Sequence, residues 1–243
     1  MTLAEYAAKG LLKPVAVPSE TQEDDRQVQR LRDQLVQKRR CVKQQIKSLL
    51  LQHGVDEPSG LKRWTLAARA ALRACRLGAE LRLCLDTLLD LVEQIEGHVR
   101  AVERALRQLA ATERHAEAAA IARTHPGVGP IVAMGFLVEV YRGGRFKTPG
   151  EVASYVGLAP RVRQSGQTRR DGPIMRTGRP ALRALLVEAA WRWRMHDAAA
   201  RRLFARLVHN TGSAKKAIVA LARHLAINLW TMLTRREPYR AAA

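Results

Sequence analysis

Cysteine is scarce in this sequence of 243 residues, which has only three: Cys41, Cys75 and Cys84. Their number is odd, and no two of them lie two or three residues apart, as the ligands of a zinc knuckle do. The pattern therefore argues against a disulfide framework and against a cysteine-based zinc site. We expect the three thiols to be reduced and to serve in packing.

Long uncharged runs are absent as well. The longest one includes His125 to Val138, is interrupted by Pro and Gly, and is shorter than the roughly 18 residues that a membrane-spanning helix needs. The N-terminal residues include Glu5 and have no apolar core of a signal peptide. The sequence predicts a cytoplasmic protein with no membrane partner.

Acidic residues are few, above all in the second half of the chain. The whole chain has 42 Lys and Arg against 22 Asp and Glu, a net charge of +20. Residues 121–243 hold 22 of these basic residues but only 6 of the acidic ones. Such an excess of positive charge indicates a polyanion as partner and predicts that the second half binds it.

The same shortage of carboxylates bears on catalysis. Two-metal phosphoryl transfer needs carboxylates that converge on the ions, and the six acids of residues 121–243 form no D-x-D or D-x-x-D pair. We therefore expect no metal site and no cofactor in this chain, and no complete metal-dependent nuclease.

The residues that are abundant, Ala, Leu and Arg, favour packed helices. Apolar residues spaced three, four and seven apart predict a first long helix over about 23–53. A second stripe alternates spacings of three and four, as in a coiled-coil seam, and consists of Leu85, Leu88, Val92, Ile95, Val99, Val102, Leu106 and Leu109. Between the two stripes, Gly54, Pro58 and Gly60 turn the chain. We expect a long antiparallel coiled coil; the alternative is a helical hairpin packed in an ordinary core.

The composition changes near residue 120, because residues 126–180 hold six of the ten prolines and ten of the sixteen glycines. The patterns beyond this point predict helices at about 129–140, 148–156, 180–195 and 213–234, with a short β-hairpin through 161–176. Ser213 is the predicted N-cap of the last helix. The predicted fold is mainly α and has three parts: residues 1–22 as a linker, residues 23–117 as the coiled-coil hairpin, and residues 121–243 as a compact nucleic-acid-binding domain.

The segment HPGVGP precedes an apolar helix and has the form of a helix-hairpin-helix element. In such an element, glycines like Gly127 and Gly129 permit a tight turn that brings backbone N–H groups and a helix N-terminus against a phosphate. The same glycines also serve simple helix packing. In a half-chain as basic as this one, phosphate contact is at least as good an interpretation.

The predicted β-hairpin lies in a segment with seven arginines within 23 residues and a single acid, Asp171. Arginine binds phosphate oxygens through two parallel hydrogen bonds, so these residues are candidates for DNA contact. They are Arg161, Arg163, Arg169, Arg170, Arg176, Arg179 and Arg183. Ser165, at the predicted tip, could attack phosphorus with help from a base or a cationic clamp. No His or Cys lies within the hairpin to act as that base, so the chemistry of Ser165 alone favours a turn serine in a nucleic-acid-binding loop.

Two segments together resemble a known family: HPGVGPIVAMGFLVEV, and RFKTPGEVASYVGLAPRVRQSGQTRRDGPIMRTGRPALRALLVEAA. They are similar to the C-terminal domain of the bridge-RNA-guided insertion-sequence transposases, which pair a RuvC-like DEDD domain with a catalytic serine. The upstream segments LAEYAAKGLLKPVAVPSE and RLRDQLVQKRRCVKQQIKSLLLQHG look like the end of that RuvC-like domain and its coiled coil. One departure is Gly178-Arg179-Pro180, where the family usually has Gly-Asn.

The resemblance implies that Ser165 is a nucleophile that attacks a DNA phosphodiester, with Arg163, Arg169 and Arg170 as candidates for charge stabilisation. It implies DNA as partner and allows a guide RNA. The unbroken three-four spacing of the Leu85–Leu109 seam, independently of the resemblance, predicts self-association through the coiled coil. The family's magnesium ions belong to the RuvC-like domain, which this sequence lacks, so we expect a truncated chain that binds DNA without transposing alone. Two alternatives remain: a non-enzymatic nucleic-acid-binding protein that dimerises, and an RNA-associated structural protein.

Overall fold

The computed structural model describes residues 2–11, 17–140, 145–165, 168–175 and 178–241. The fold is mainly α, as predicted, and the only sheet in these ranges is one antiparallel hairpin. The helices are α1 (Leu3–Ala8), α2 (Glu20–Gln52), α3 (Leu66–Ala74), α4 (Ala79–Ala110), α5 (Glu113–Arg123), α6 (Pro130–Glu139), α7 (Pro149–Val156), α8 (Pro180–His196), α9 (Ala198–Thr211) and α10 (Ala214–Arg235). The strands are β1 (Pro160–Ser165) and β2 (Thr168–Ile174), and a 3-10 helix spans Leu61–Arg63.

The chain forms two compact units. One consists of residues 28–112, and the other combines residues 1–27 with residues 113–243. Helix α2 begins in the second of these units and continues into the first. Ser19 starts it with a reciprocal cap: its hydroxyl accepts from the Gln22 N–H, and the Gln22 side chain accepts from the Ser19 N–H.

In the unit of residues 28–112, α2 and α4 run antiparallel. Arg32 near the start of this stretch pairs with Glu103 late in α4 at 3.0 Å, and Lys43 further along α2 pairs with Glu96 at 2.8 Å. The Arg69 guanidinium of α3 binds the same Glu96 carboxylate through two hydrogen bonds of 2.8 and 2.9 Å. The predicted helical hairpin is therefore present, with α3 packed onto it.

The predicted seam of α4 differs from the buried face at three positions, because Leu88, Val102 and Leu109 are only half-buried. Leu85, Val92, Ile95, Val99 and Leu106 are buried as predicted, but Leu89 is buried at 2 % exposure where the strict alternation had placed Leu88. Leu88 packs against the same cluster from its edge. The face is wider than a two-helix seam because α3 contributes Ala68 and Leu72 to the core.

Residues Leu85 to Val99 of the seam lie in a core with Val42, Ile46 and Leu50 of α2. These seam residues therefore already pack against α2 of the same chain. Self-association through the predicted coiled coil stays a prediction, for which sedimentation of the intact chain is the measurement.

The unit that contains residues 113–243 is built around α10, which packs against α5, α7, α8 and α9. Ile218, Leu221, Leu225 and Leu229 are buried, as the stripe predicted. Ser213 holds the N-cap position, although its side chain makes no capping hydrogen bond. Among the described residues, α10 is also the one helix long and apolar enough to cross a membrane by length and composition. Because half of that apolar window is buried by the protein, α10 is a core helix of this unit.

Candidate nucleic-acid interface

The arginine-rich hairpin forms as predicted. Strands β1 and β2 pair antiparallel, with an irregularity between Pro160 and Val162. In this register Arg163 lies opposite Arg170, Gln164 opposite Arg169, and Ser165 opposite Thr168. Ser165 is therefore the last residue of β1, and its side chain is exposed. The exposed Ser165 therefore lies at the end of a hairpin whose strands contain several arginines.

The predicted phosphate-binding arginines fall into different settings. Arg161 is exposed at the start of the hairpin, and Arg163, Arg169 and Arg170 are strand residues whose backbones lie within two register positions of Ser165. Arg176 lies outside the described residues. Their contact with phosphate stays a prediction.

Arg179 and Arg183, by contrast, have partners within the protein. The Nε of Arg179 lies 2.9 Å from the Oε1 of Glu139, a carboxylate whose side chain is only 3 % exposed. The Nη1 of Arg183 donates to the Val156 carbonyl at 3.4 Å. A phosphate that bound these guanidinium groups would have to share them with these oxygen acceptors.

Glu139 is a buried acid at the end of α6 and is held between two arginines. Besides Arg179, the buried Arg26 lies 3.9 Å from its Oε2 and donates from Nε to the Val138 carbonyl at 2.8 Å. Removing one member of such a buried group leaves the others uncompensated, which is costly. The arrangement ties the N-terminal end of α2 and the residue before α8 to the C-terminal end of α6.

The GVGP segment forms the turn between α5 and α6. Gly127 has φ +88°, in the left-handed region, and lies so close to α8 that a Cβ atom there would be 2.6 Å from both the Ala189 carbonyl oxygen and the Trp193 nitrogen. Gly129 is the N-cap of α6, followed by Pro130 at the first helical position. A Cβ atom on Gly129 would meet open space. Helix packing thus explains Gly127, while Gly129 lies at an accessible helix N-terminus.

His125 begins this turn and is buried at 1 % exposure. Its Nδ1–H donates to the Pro126 carbonyl at 2.9 Å, and its Nε2 accepts from the Asn228 amide at 3.4 Å. Its ring packs against Trp193 at 4.7 Å and Tyr239 at 4.3 Å between centroids. Burial lowers the pKa of His125 to about 4. The imidazole is therefore neutral at pH 7 and positions the turn rather than contributing a charge.

This histidine gives a pH-dependent prediction. Because the folded-state pKa lies below the ordinary value of 6.5, the stabilisation is fully present above pH 6.5 and is lost as the pH falls towards 4. Between pH 7 and 4.5 we expect wild type to lose about 2–3 kcal/mol more unfolding free energy than His125→Asn. Asn retains an N–H donor but does not titrate. Urea unfolding of both proteins at the two pH values measures the difference, and equal losses would contradict it.

The described residues contain no group of three or more His, Cys, Asp or Glu side chains that could hold a metal ion. The resemblance places magnesium on the RuvC-like domain and not on the residues of this chain, and that expectation stays a prediction. Arg145 was not predicted as a residue of this region. Its guanidinium lies 4.1 Å from the centre of the ring of Tyr155, which lies on α7, the helix before the hairpin. An Arg-Phe pair ahead of a helix gives no signal of this contact.

The chain is similar to one family of known proteins and to several individual relatives. Residues 119–205 match a family described as "Transposase IS116/IS110/IS902 family". Two Sinorhizobium fredii proteins that carry transposase names, y4qE and y4rJ, are 29% and 32% identical to this chain over 89% and 88% of its length. The transposase for insertion sequence element IS1111A of Coxiella burnetii is 26% identical over 99% of the chain. The chain covers 52%, 58% and 67% of these relatives respectively, so it spans little more than half of the first two.

Proposed function

We propose that the protein binds DNA and acts in the transposition of an insertion sequence, inside the cell, with Ser165 as nucleophile. The similarity of residues 119–205 to the IS116/IS110/IS902 transposase family supports this proposal. The observation that carries the proposal is that the matched segment contains the arginine-rich hairpin with exposed Ser165 at the end of β1. The relatives named as transposases support the same function.

The covalent step would be attack of the Ser165 Oγ on the phosphorus of a DNA phosphodiester. The Oγ–P bond forms, one P–O bond to a deoxyribose breaks, and the Oγ proton leaves while the departing oxygen ends as a hydroxyl. Guanidinium groups of the hairpin would stabilise the negative charge that develops on the phosphate oxygens. As proposed, this reaction uses no metal ion bound by the described residues.

The charge distribution supports DNA as the substrate. The six acids of residues 121–243 leave 22 basic residues largely uncompensated, and several of the acids are already engaged within the protein, such as Glu139 with two arginines. A guide RNA is a second polyanion that the same surface could bind, and its binding is part of this proposal. The non-enzymatic alternative predicts the same binding without covalent chemistry.

Binding of the full chain to duplex DNA is expected to weaken linearly in a plot of log affinity against log salt, because each phosphate contact releases counterions. Arg161→Gln should reduce the slope by about one, the loss of one phosphate contact. Arg104→Gln is the matched control, since Arg104 is equally exposed but lies on α4. Fluorescence anisotropy at several salt concentrations measures both. A flat salt dependence, or a slope that changes only with Arg104→Gln, would overturn the placement of DNA on the hairpin.

A further inference from the structure

A cavity of about 770 Å³ lies beside α9 and α10, in a part of the protein that the hairpin proposal does not use. Its walls carry four arginines, Arg202 and Arg206 from α9, Arg235 from the end of α10, and Arg240 from the C-terminal segment. We name it the α9–α10 groove. Its volume falls in the range of ligand-binding cavities, about 300–1,000 Å³.

Three of these arginines have no acidic partner among the described residues: no ion pair forms at Arg202, Arg206 or Arg235 there. The one carboxylate in the lining, Glu237, lies 4.0 Å from Arg240. Arg202 and Arg206 are four residues apart on one helix, so their like charges face each other and repel. An arrangement of exposed guanidinium groups with this repulsion is stabilised by a bound anion.

A histidine also lies among these arginines. His224 lines the same groove, and partial desolvation together with the charges of Arg223 and Arg206 lowers its pKa. The His224 imidazole thus adds a hydrogen-bonding group to the groove lining.

The groove is also partly apolar. Trp193 and Met232 in its lining are buried residues, and Leu203 is half-buried. Asn228 and Thr231 place an amide and a hydroxyl among them. An inorganic anion would leave the apolar surface unused, whereas a nucleotide offers an anionic phosphate, a base with hydrogen-bonding edges and a ring face that packs on apolar side chains.

The C-terminal segment that closes one side of the groove is held in place by specific contacts. The chain reverses at Arg236, which has φ +55°. The Tyr239 N–H donates to the Thr124 hydroxyl at 2.8 Å, and the Tyr239 hydroxyl donates to the Asp197 carboxylate at 3.1 Å. This wall is therefore formed in the free protein, so a ligand need not order it on binding.

We propose that the α9–α10 groove binds unpaired nucleotides of a nucleic-acid strand, with a phosphodiester between Arg202, Arg206 and Arg235 and a base on the apolar floor. A duplex presents its bases stacked and paired inside, so only a single-stranded segment fits a concave site of this size with an apolar floor. The groove lies outside the hairpin, and this inference does not depend on the role of Ser165.

The test is fluorescence anisotropy of the full chain with labelled octanucleotides of deoxythymidine and of uridine, and with a duplex. Arg202→Gln/Arg206→Gln should weaken binding of the single strands tenfold or more and duplex binding by less than twofold. Arg192→Gln/Arg201→Gln is the control: it removes the same charge from exposed positions of α8 and α9 outside the groove, and should change single-strand binding by less than twofold. Arg235→Gln, on the other helix, should weaken single-strand binding several-fold.

The two single-stranded probes distinguish the sources of the ligand. Tighter binding of uridine strands identifies RNA, through its 2′-hydroxyls, tighter binding of deoxythymidine strands identifies DNA, and equal binding identifies contacts to the shared backbone; each supports the groove if it is lost in the groove double variant. Equal loss in both double variants would show only a general charge effect and would overturn the proposal, as would loss confined to the duplex. Failure of Ser165 chemistry leaves these outcomes unchanged, so the two proposals fail separately.

Discussion

Ser165→Ala is expected to abolish a covalent protein–DNA adduct while leaving DNA affinity nearly unchanged. The adduct depends on a single oxygen, because only the Ser165 hydroxyl is proposed to form the bond to phosphorus. DNA affinity depends on many cationic contacts, so the loss of one hydroxyl from an exposed position has little effect on it. Since Ser165 is the last residue of β1 and exposed, the substitution removes no core packing.

The resemblance implies acidic metal ligands on a RuvC-like domain, and the proposed adduct assay supplies such ligands. We would join this chain to the part of the Coxiella IS1111A transposase that lies outside its match with this chain, and detect the adduct as a band of reduced mobility under denaturing conditions. Ser213→Ala is the control, because Ser213 belongs to the same unit but makes no capping hydrogen bond. An adduct that persists in Ser165→Ala would show that Ser165 is a turn residue. An adduct formed by the chain alone would contradict the expectation that it needs added ligands.

Helices with strong local signals were predictable from the sequence. Helices α6, α7 and α8 each carry proline in the first turn, which is favoured there and marks a helix start. Helix α7 also has the Thr148 hydroxyl as a cap for the Glu151 N–H. The turn residues and the change of pattern predict the hairpin, and with it the position of Ser165 at its end.

Helices α1, α3, α5 and α9 were not predicted from the sequence. Helix α5, ERHAEAAAIAR, is rich in alanine, whose high helix propensity needs no periodic pattern. Helix α3 is short, and its burial depends on packing against α2 and α4. The shift from Leu88 to Leu89 in α4 has the same origin, because a third helix widens the buried face beyond the spacing that a two-helix seam requires.

Contacts between distant residues were beyond prediction. His125 meets Asn228, 103 positions away, and Thr124 meets Tyr239, 115 positions away. Neither pair has a local spacing that a pattern could reveal. Likewise, nothing in the sequence indicated that Arg179 pairs with buried Glu139, or that Arg202, Arg206 and Arg235 line one groove. The sequence shows which residues are cationic, whereas the fold determines which of them pair with a carboxylate.

The glycines of the GVGP turn provide a second prediction with a large effect, because the structure gives them different roles. Gly127→Ala should destabilise the protein by about 3 kcal/mol or more: the left-handed φ of +88° costs an alanine roughly 1 kcal/mol or more, and its Cβ would collide with the backbone of α8. Gly129→Ala should cost less than about 1 kcal/mol, the loss of a favourable N-cap residue, since its Cβ meets open space. Urea unfolding at pH 7 measures both values.

The same pair of variants separates packing from phosphate contact at this turn. If the N-terminus of α6 binds a phosphate through its backbone N–H groups, a methyl group on Gly129 lies near that approach and should weaken duplex binding several-fold in a protein that remains folded. If the glycines serve only helix packing, Gly129→Ala should bind DNA like wild type. Similar losses of stability in the two variants would contradict the close approach of Gly127 to Ala189 and Trp193 as the reason for glycine at that position.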